Sequence, residues 1–156
     1  MVEWCRRNLA FAEVAVTELS PPLPYADESF DLMYAFSVFT HLTEELQRTW
    51  MAECRRVLRP GGYLLMSTLG EYYLTLDRLN EAERRAFERG DLVVLYQQSA
   101  GTSLCSAYAP AAYVRDDLAA AFEPVTFRPA GDDGRHDLHL FRTPKGTDAT
   151  HQTSAR

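Results

Sequence analysis

The sequence has few of the features that mark membrane, disulfide-rich or nucleic-acid-binding proteins. It contains no apolar run approaching about 18 residues, and its N-terminus has no apolar core of the signal-peptide kind. Its three cysteines are widely spaced and form no C-x-x-C pair, which favours buried free thiols in a reducing compartment. A net charge of −6 gives no overall positive field to attract a phosphate backbone. We therefore expect a cytoplasmic protein that binds neither membranes nor nucleic acids.

The composition is that of an ordinary globular domain. Of the 156 residues, 46% are apolar and 24% are charged, which is enough for one buried core. From Lys145 onward the residues are polar and show no periodicity, so we expect a disordered tail over residues 145–156. Residues 1–144 are then predicted to form one domain.

The chain is organised around two apolar segments joined by an amphipathic one. Residues 30–36 are short, mostly apolar and preceded by turn residues, a pattern typical of a strand buried on both faces. Thr43 can cap a following helix, whose apolar residues recur every three or four positions until a Pro-Gly-Gly turn at 60–62 ends it. A second apolar strand is predicted at residues 63–69. This order favours two parallel neighbours joined by a right-handed crossover.

Further elements are predicted on either side of this centre. Residues 11–16 can form a strand, and Asn80 with Glu83 resembles a helix capping box. Residues 92–96 and 104–108 flank a polar turn, which suggests a hairpin. A helix can start after Pro110. The last two strands are predicted at residues 125–128 and 137–141.

The segments LPYADESFDLMYAFSVFTHL and ECRRVLRPGGYLLMST resemble the middle of class I S-adenosylmethionine-dependent methyltransferases. In that family an acidic loop and F-D-L lead into the fourth strand, a helix ends in R-V-L-K/R-P-G-G, and the fifth strand follows. The resemblance implies an α/β, Rossmann-like sheet that is mostly parallel, with an antiparallel pair of C-terminal strands. It also implies S-adenosylmethionine as cofactor and a small molecule as methyl acceptor.

The family's glycine-rich loop, G-x-G-x-G, holds the methionine part of the cofactor, and none of the eight glycines forms such a loop here. The acidic residue that binds the ribose hydroxyls cannot be placed either. We therefore expect the first two strands of the family's sheet to be absent and the chain to be a truncated, inactive form with impaired cofactor binding. The alternative is a non-catalytic, degenerate methyltransferase fold that serves as a subunit or dimerisation module. A third possibility, a reductase-type nucleotide binder, is disfavoured by the V-L-R-P-G-G segment.

The loss of the first strand would leave the strand at 30–36 without its family neighbour. An apolar edge strand with unpaired amides is an aggregation hazard. We therefore expect either that the strand at residues 11–16, third in the family's order, moves in beside the strand at 30–36, or that another copy of the chain covers this edge.

Candidate site residues follow from the rule that ligands of open α/β sheets bind beyond the carboxyl ends of the strands. By their matching motif positions, Phe36, Ser37 and His41 are expected to face the cofactor, with Glu18 near its adenine. His41 is also a weak candidate for a general base, against the alternative that it packs or caps the helix.

An acceptor pocket is expected after the fifth strand. Tyr72 and Tyr73 could wall it, although aromatic residues at such positions more often pack. The variable segment 70–109, predicted to be an insertion or lid, would then set the choice of acceptor. We expect no metal site, because His136 and His139 are three apart on a strand and point to opposite faces.

Overall fold

The computed structural model describes residues 2–132 and 134–145. Almost all of the predicted tail, residues 146–156, lies outside the described residues. Within the described part, none of the helices is both long and apolar enough to span a lipid bilayer. The helices are α1 (Val2–Asn8), α2 (Glu44–Val57), α3 (Glu81–Glu88) and α4 (Ala111–Tyr113). The strands are β1 (Phe30–Ala35), β2 (Leu58–Thr68), β3 (Val93–Leu95), β4 (Ser106–Tyr108), β5 (Glu123–Asp132) and β6 (His136–Arg142).

Four of these strands form one mixed sheet in the order β1-β2-β6-β5. β1 and β2 run parallel, with Met33 opposite Leu64 and Ala35 opposite Met66, and α2 forms the connection between them. β6 is antiparallel to both β2 and β5. The α/β fold class and the antiparallel C-terminal pair are confirmed, and one of the three pairings in this sheet is parallel.

The predicted strand at residues 11–16 is wrong. These residues form a turn followed by irregular chain, and Phe11 and Val16 are 87% and 74% exposed. A strand needs a hydrogen-bonding neighbour, and the described residues provide none at this place. The segment does not move in beside β1 either, because β1 forms the free edge of the sheet.

Helix α2 begins where local chemistry predicts and ends three residues before the predicted stop at Pro60. The Thr43 hydroxyl accepts a hydrogen bond from the Leu46 amide (3.4 Å), and two glutamates occupy the first turn, where the helix dipole favours negative charge. The helix stops at Val57, and the next residue, Leu58, begins β2. The predicted Pro-Gly-Gly turn at 60–62 therefore lies inside that strand, where Gly61 has a left-handed backbone (φ +78°). Its inner face buries Met51, Cys54 and Val57.

The sheet has one covered face and one open face. The covered face packs against α2 and against residues 111–122, the segment after β4. The sheet contributes Ala35, Leu64, Met66 and Phe141 to this core, and the segment after β4 contributes Val114, Leu118 and Phe122. The open face exposes Leu32 and Tyr34 of β1, with Phe36 just beyond, and Tyr63 of β2. These four side chains are 39–69% exposed.

Residues 70–109 fold into a small unit beside the sheet. The Asn80 side chain and the Glu83 backbone and side chain form the predicted capping box of α3. β3 and β4 form the predicted antiparallel hairpin. Leu79 and Phe87 pack with Leu69 in a second core, and the Ala109 amide donates to the Leu69 carbonyl (2.9 Å). The unit is thus attached to the end of β2.

Candidate functional site at the carboxyl ends of β1 and β2

The loop after β1 is joined directly to the end of β2. Ser37 has a left-handed backbone (φ +53°), which is uncommon for a residue with a side chain. Its amide donates a hydrogen bond to the Ser67 hydroxyl (2.8 Å). Because the two strands are parallel, both end at the same edge of the sheet, and this bond closes the gap between them.

His41 ends the short 3₁₀ turn that follows Ser37, and it lies at the centre of the site. Its Nδ1 atom is 2.7 Å from the carbonyl oxygen of Cys105, and its Nε2 atom is 3.4 Å from the Ser37 hydroxyl. Its own carbonyl accepts a hydrogen bond from the Gly101 amide (2.8 Å). His41 therefore connects the loop after β1 with the loop of the β3–β4 hairpin.

Glu18 lines a cleft of about 370 Å³ next to this loop, together with Val38, Trp50 and Gly101. The irregular segment that carries Glu18 is held to the outer side of α2. The Trp50 indole Nε1 donates to the Leu19 carbonyl (2.8 Å). Four residues further along, the Leu23 amide donates to the Glu53 carboxylate (2.6 Å).

The ion pair that Glu53 forms with Arg56 (2.6 Å) fixes the same segment. Hydrogen bonds from Arg56 lower the pKa of Glu53. Arg56 also donates to the Tyr25 carbonyl (2.8 Å) and to Asp27 (2.7 Å). This part of the chain forms no strand, and these bonds hold it in place where pairing in a sheet does not.

Phe36 does not line the Glu18 cleft. It is 44% exposed on the open face, and its ring centroid is 5.8 Å from that of Tyr34. Of the four predicted cofactor-facing residues, the structure thus brings Ser37 and His41 into contact, places Glu18 in the adjoining cleft and leaves Phe36 at the edge.

The Tyr73 side chain mainly packs against other rings. Its ring stacks on His136 (5.9 Å) and meets Tyr108 edge-on (6.0 Å), and burial raises the pKa of its hydroxyl. Tyr72 contacts the Tyr73 ring edge-on at 5.6 Å. Both tyrosines follow β2 directly, at the edge of the sheet where the site lies.

Two sets of buried polar residues were not predicted from the sequence: those at the end of β2 and those on the neighbouring strand β6. Thr68 is buried, and its hydroxyl lies 3.0 Å from Nε2 of His139, whose pKa burial lowers to about 4. Asp137 is also buried; its carboxylate accepts the Ala130 amide (2.9 Å), and desolvation raises its pKa. The signal in the sequence was Ser67-Thr68, two hydroxyl residues that end an apolar strand.

Comparisons with known proteins agree with this arrangement. Residues 1–66, which include β1, α2 and most of β2, match the family model described as a methyltransferase domain. The resemblance to class I methyltransferases is confirmed. A malonyl-(acyl-carrier protein) O-methyltransferase of Methylococcus capsulatus is 50% identical over 62 residues, which are 40% of this chain and 21% of that protein.

Solved structures share the class I methyltransferase fold over most of the chain. A SAM-dependent methyltransferase of Methanosarcina mazei has a TM-score of 0.57 at 20% identity, over 84% of this chain and 66% of that one. The 1,6-didemethyltoxoflavin-N1-methyltransferase of Burkholderia thailandensis, with bound S-adenosylhomocysteine, has a TM-score of 0.60 at 18% identity, over 92% and 56%. The chain thus spans about a fifth of that curated relative and less than two thirds of these solved structures.

Proposed function

We propose that this chain is the acceptor-facing part of a class I methyltransferase that uses S-adenosylmethionine to methylate a small molecule. The observation that carries the proposal is the contact of Ser37, His41 and Ser67 at the shared carboxyl end of two parallel strands. Ligands of open α/β sheets bind at such an edge. The 156-residue sequence has no G-x-G-x-G loop, so we propose that this chain alone binds the cofactor weakly and is inactive.

The residues present suit part of the cofactor. When bound, S-adenosylmethionine supplies a methyl group activated by a sulfonium. The cleft beside Glu18 has an aromatic wall in Trp50 and an apolar one in Val38, which suits a flat purine ring. Ser37 and His41 would contact the cofactor on the side facing the acceptor, with Phe36 at the rim.

The chain's own chemical contribution would be mainly placement of the acceptor. Methyl transfer from a sulfonium is an in-line displacement, for which correct positioning supplies much of the rate. A base is needed only when the acceptor must lose a proton early, and His41 is the candidate for that role. We propose that Tyr72, Tyr73 and the unit formed by residues 70–109 shape the acceptor pocket.

The acceptor's class is supported by the relatives. Their names give malonyl-(acyl-carrier protein) and 1,6-didemethyltoxoflavin as methyl acceptors, which differ in size and in the atom methylated. We propose a small-molecule acceptor for this chain, as in the toxoflavin enzyme, whereas malonyl-(acyl-carrier protein) is a malonyl group carried on a protein. We also propose a cytoplasmic location, supported by the three free thiols of Cys5, Cys54 and Cys105.

Calorimetric titration with S-adenosylhomocysteine tests the proposal. We expect binding about a thousandfold weaker than that of a complete enzyme, because two or three charge-assisted contacts are lost. Replacing Ser37 by Ala should weaken it further, whereas Ser103→Ala in the hairpin loop should not. NAD is the control ligand. Tighter binding of NAD than of S-adenosylhomocysteine would contradict the assignment, and methyl transfer by this chain would contradict its inactivity.

A second candidate function is a non-catalytic module that assembles through β1. The free edge of β1 and the exposed Leu32 and Tyr34 favour it. An antiparallel pair of β1 strands from two copies, centred on Met33, would place Leu32 of each opposite Tyr34 of the other. Light scattering should then show a dimer that Leu32→Lys combined with Tyr34→Lys abolishes, because the two exposed positions would place like charges opposite each other across the pair. A monomer at high concentration, with fast amide exchange along β1, would contradict this function.

A further inference from the structure

The loop of the β3–β4 hairpin holds His41 from two sides. The Gly101 amide donates to the His41 carbonyl (2.8 Å), and the Cys105 carbonyl contacts the imidazole Nδ1 (2.7 Å). The loop is itself braced, since the Thr102 hydroxyl donates to the Ser99 carbonyl (2.8 Å) and the Cys105 amide to the Thr102 carbonyl (3.2 Å). His41, which lies 64 positions before Cys105 in the sequence, is thereby fixed relative to the loop.

These contacts decide which imidazole nitrogen carries the proton. A carbonyl oxygen can only accept a hydrogen bond, so Nδ1 must be the donor to Cys105. A neutral imidazole has one N–H, so its Nε2 then carries a lone pair. The Nε2 side of the ring is also the exposed one, where it meets the Ser37 hydroxyl (3.4 Å).

We propose that the hairpin loop is a positioning element that locks His41 in the Nδ1–H tautomer and presents Nε2 as a hydrogen-bond acceptor at the mouth of the site. Cys105, through its carbonyl, and Gly101, through its amide, are the positioning residues. The use of Nε2 toward an acceptor that carries an O–H or N–H group rests on the proposed function. The tautomer itself does not, so it can be tested on this chain without cofactor.

Gly101 is the residue on which the arrangement depends most. Its backbone is left-handed (φ +81°), and a Cβ atom there would lie 2.6 Å from Cδ1 of Leu19. A side chain at this position would therefore strain the left-handed backbone of the loop and displace the end of the Leu19 side chain. Gly90 offers a matched control, because its backbone is also left-handed (φ +96°) but a Cβ atom there would contact nothing within 4 Å.

The first test is the nitrogen NMR spectrum of His41 at a pH where the ring is neutral. We expect two well-separated ring nitrogens, with the protonated one assigned to Nδ1. An Nε2–H tautomer, or two averaged nitrogens of similar shift, would overturn the proposal. Gly101→Ala should move the two signals toward averaging, and Gly90→Ala should leave them unchanged. A Gly101→Ala variant with an intact Nδ1–H signal would equally overturn the role of the loop.

The second test uses two amides that imitate one ring nitrogen each. Asparagine at position 41 places an N–H donor near the position of Nδ1, whereas glutamine reaches instead toward that of Nε2. His41→Asn should keep the amide exchange of Gly101 close to that of the unchanged chain, and His41→Gln should speed it at least tenfold. Equal exchange in the two variants would contradict the positioning role. Failure of S-adenosylhomocysteine to bind would contradict only the proposed function.

Discussion

The covered and open faces of the sheet are built from the same kinds of residue but differ in how far those residues are buried. Leu64 and Met66 of β2 are fully buried, whereas Leu32 and Tyr34 of the neighbouring β1 are 55% and 69% exposed. Both pairs alternate along a strand of one hydrogen-bonded sheet. The difference lies in what covers them, because α2 and the segment after β4 pack on one face only. Alternation along a strand therefore does not decide burial here; the packing of other elements on the sheet does.

Truncating a side chain on each face should produce the largest contrast. Leu64→Ala removes a fully buried side chain and should lower the free energy of unfolding by about 2–5 kcal/mol. Leu32→Ala removes an exposed one and should change it by less than about 0.5 kcal/mol. Urea unfolding of both variants at low protein concentration measures the difference. A large cost for Leu32→Ala would mean that the open face is covered in solution, and the contrast between the faces would fail.

A pH-dependent loss of stability should arise from the covered face. Burial lowers the pKa of His139 to about 4, from 6.5 in the unfolded chain, so the unfolded state takes up a proton first as the pH falls. Stability should decline between pH 6.5 and pH 4, by up to about 3 kcal/mol from this group. Below pH 4 both states are protonated and the loss is complete.

His139→Gln removes this titration and isolates its effect. The difference in unfolding free energy between the unchanged chain and the variant should vary with pH over that window and be constant outside it. Because Asp137 titrates in both proteins, its contribution cancels in the comparison. A difference that does not depend on pH would show that His139 is not buried as a neutral ring.

The smallest of these effects should come from the contact between α2 and the irregular segment that carries Glu18. Trp50→Phe deletes the hydrogen bond to the Leu19 carbonyl and should cost about 1 kcal/mol, with faster amide exchange over residues 17–23. Trp4→Phe, on a side chain that is 58% exposed, is the matched control and should have no measurable effect. Equal effects of the two substitutions would show that the segment carrying Glu18 does not depend on α2.

Much of the fold could be predicted from local patterns. The Thr43 cap, the Asn80 capping box and the hairpin are each encoded within a few residues, and the structure confirms them. The Pro-Gly-Gly turn was predicted in the same way, but residues 60–62 lie inside β2. The strand at residues 11–16 was predicted from its residues and from its place as the third strand in the family's order. It failed because a strand also needs a partner, which a local pattern cannot reveal.

The site could be predicted only in part, again because a local pattern does not reveal contacts with distant parts of the chain. Ser37 and His41 follow a strand within a family motif, so their place at the carboxyl edge could be expected. The contact of His41 with Cys105 spans 64 positions and uses a backbone carbonyl, which has no signature in the sequence. Ser67 and Thr68 could have been included, because hydroxyl residues at the end of an apolar strand stand at the same edge.

The central claim is that the ligand site lies where β1 and β2 end, and amide chemical shifts during titration with S-adenosylhomocysteine test it most directly. The account predicts shifts that saturate together at Glu18, Ser37 and His41, with none around the separate cavity between Arg115 and Phe127 on the covered face. Shifts confined to that cavity, or none up to the solubility limit of the ligand, would contradict it.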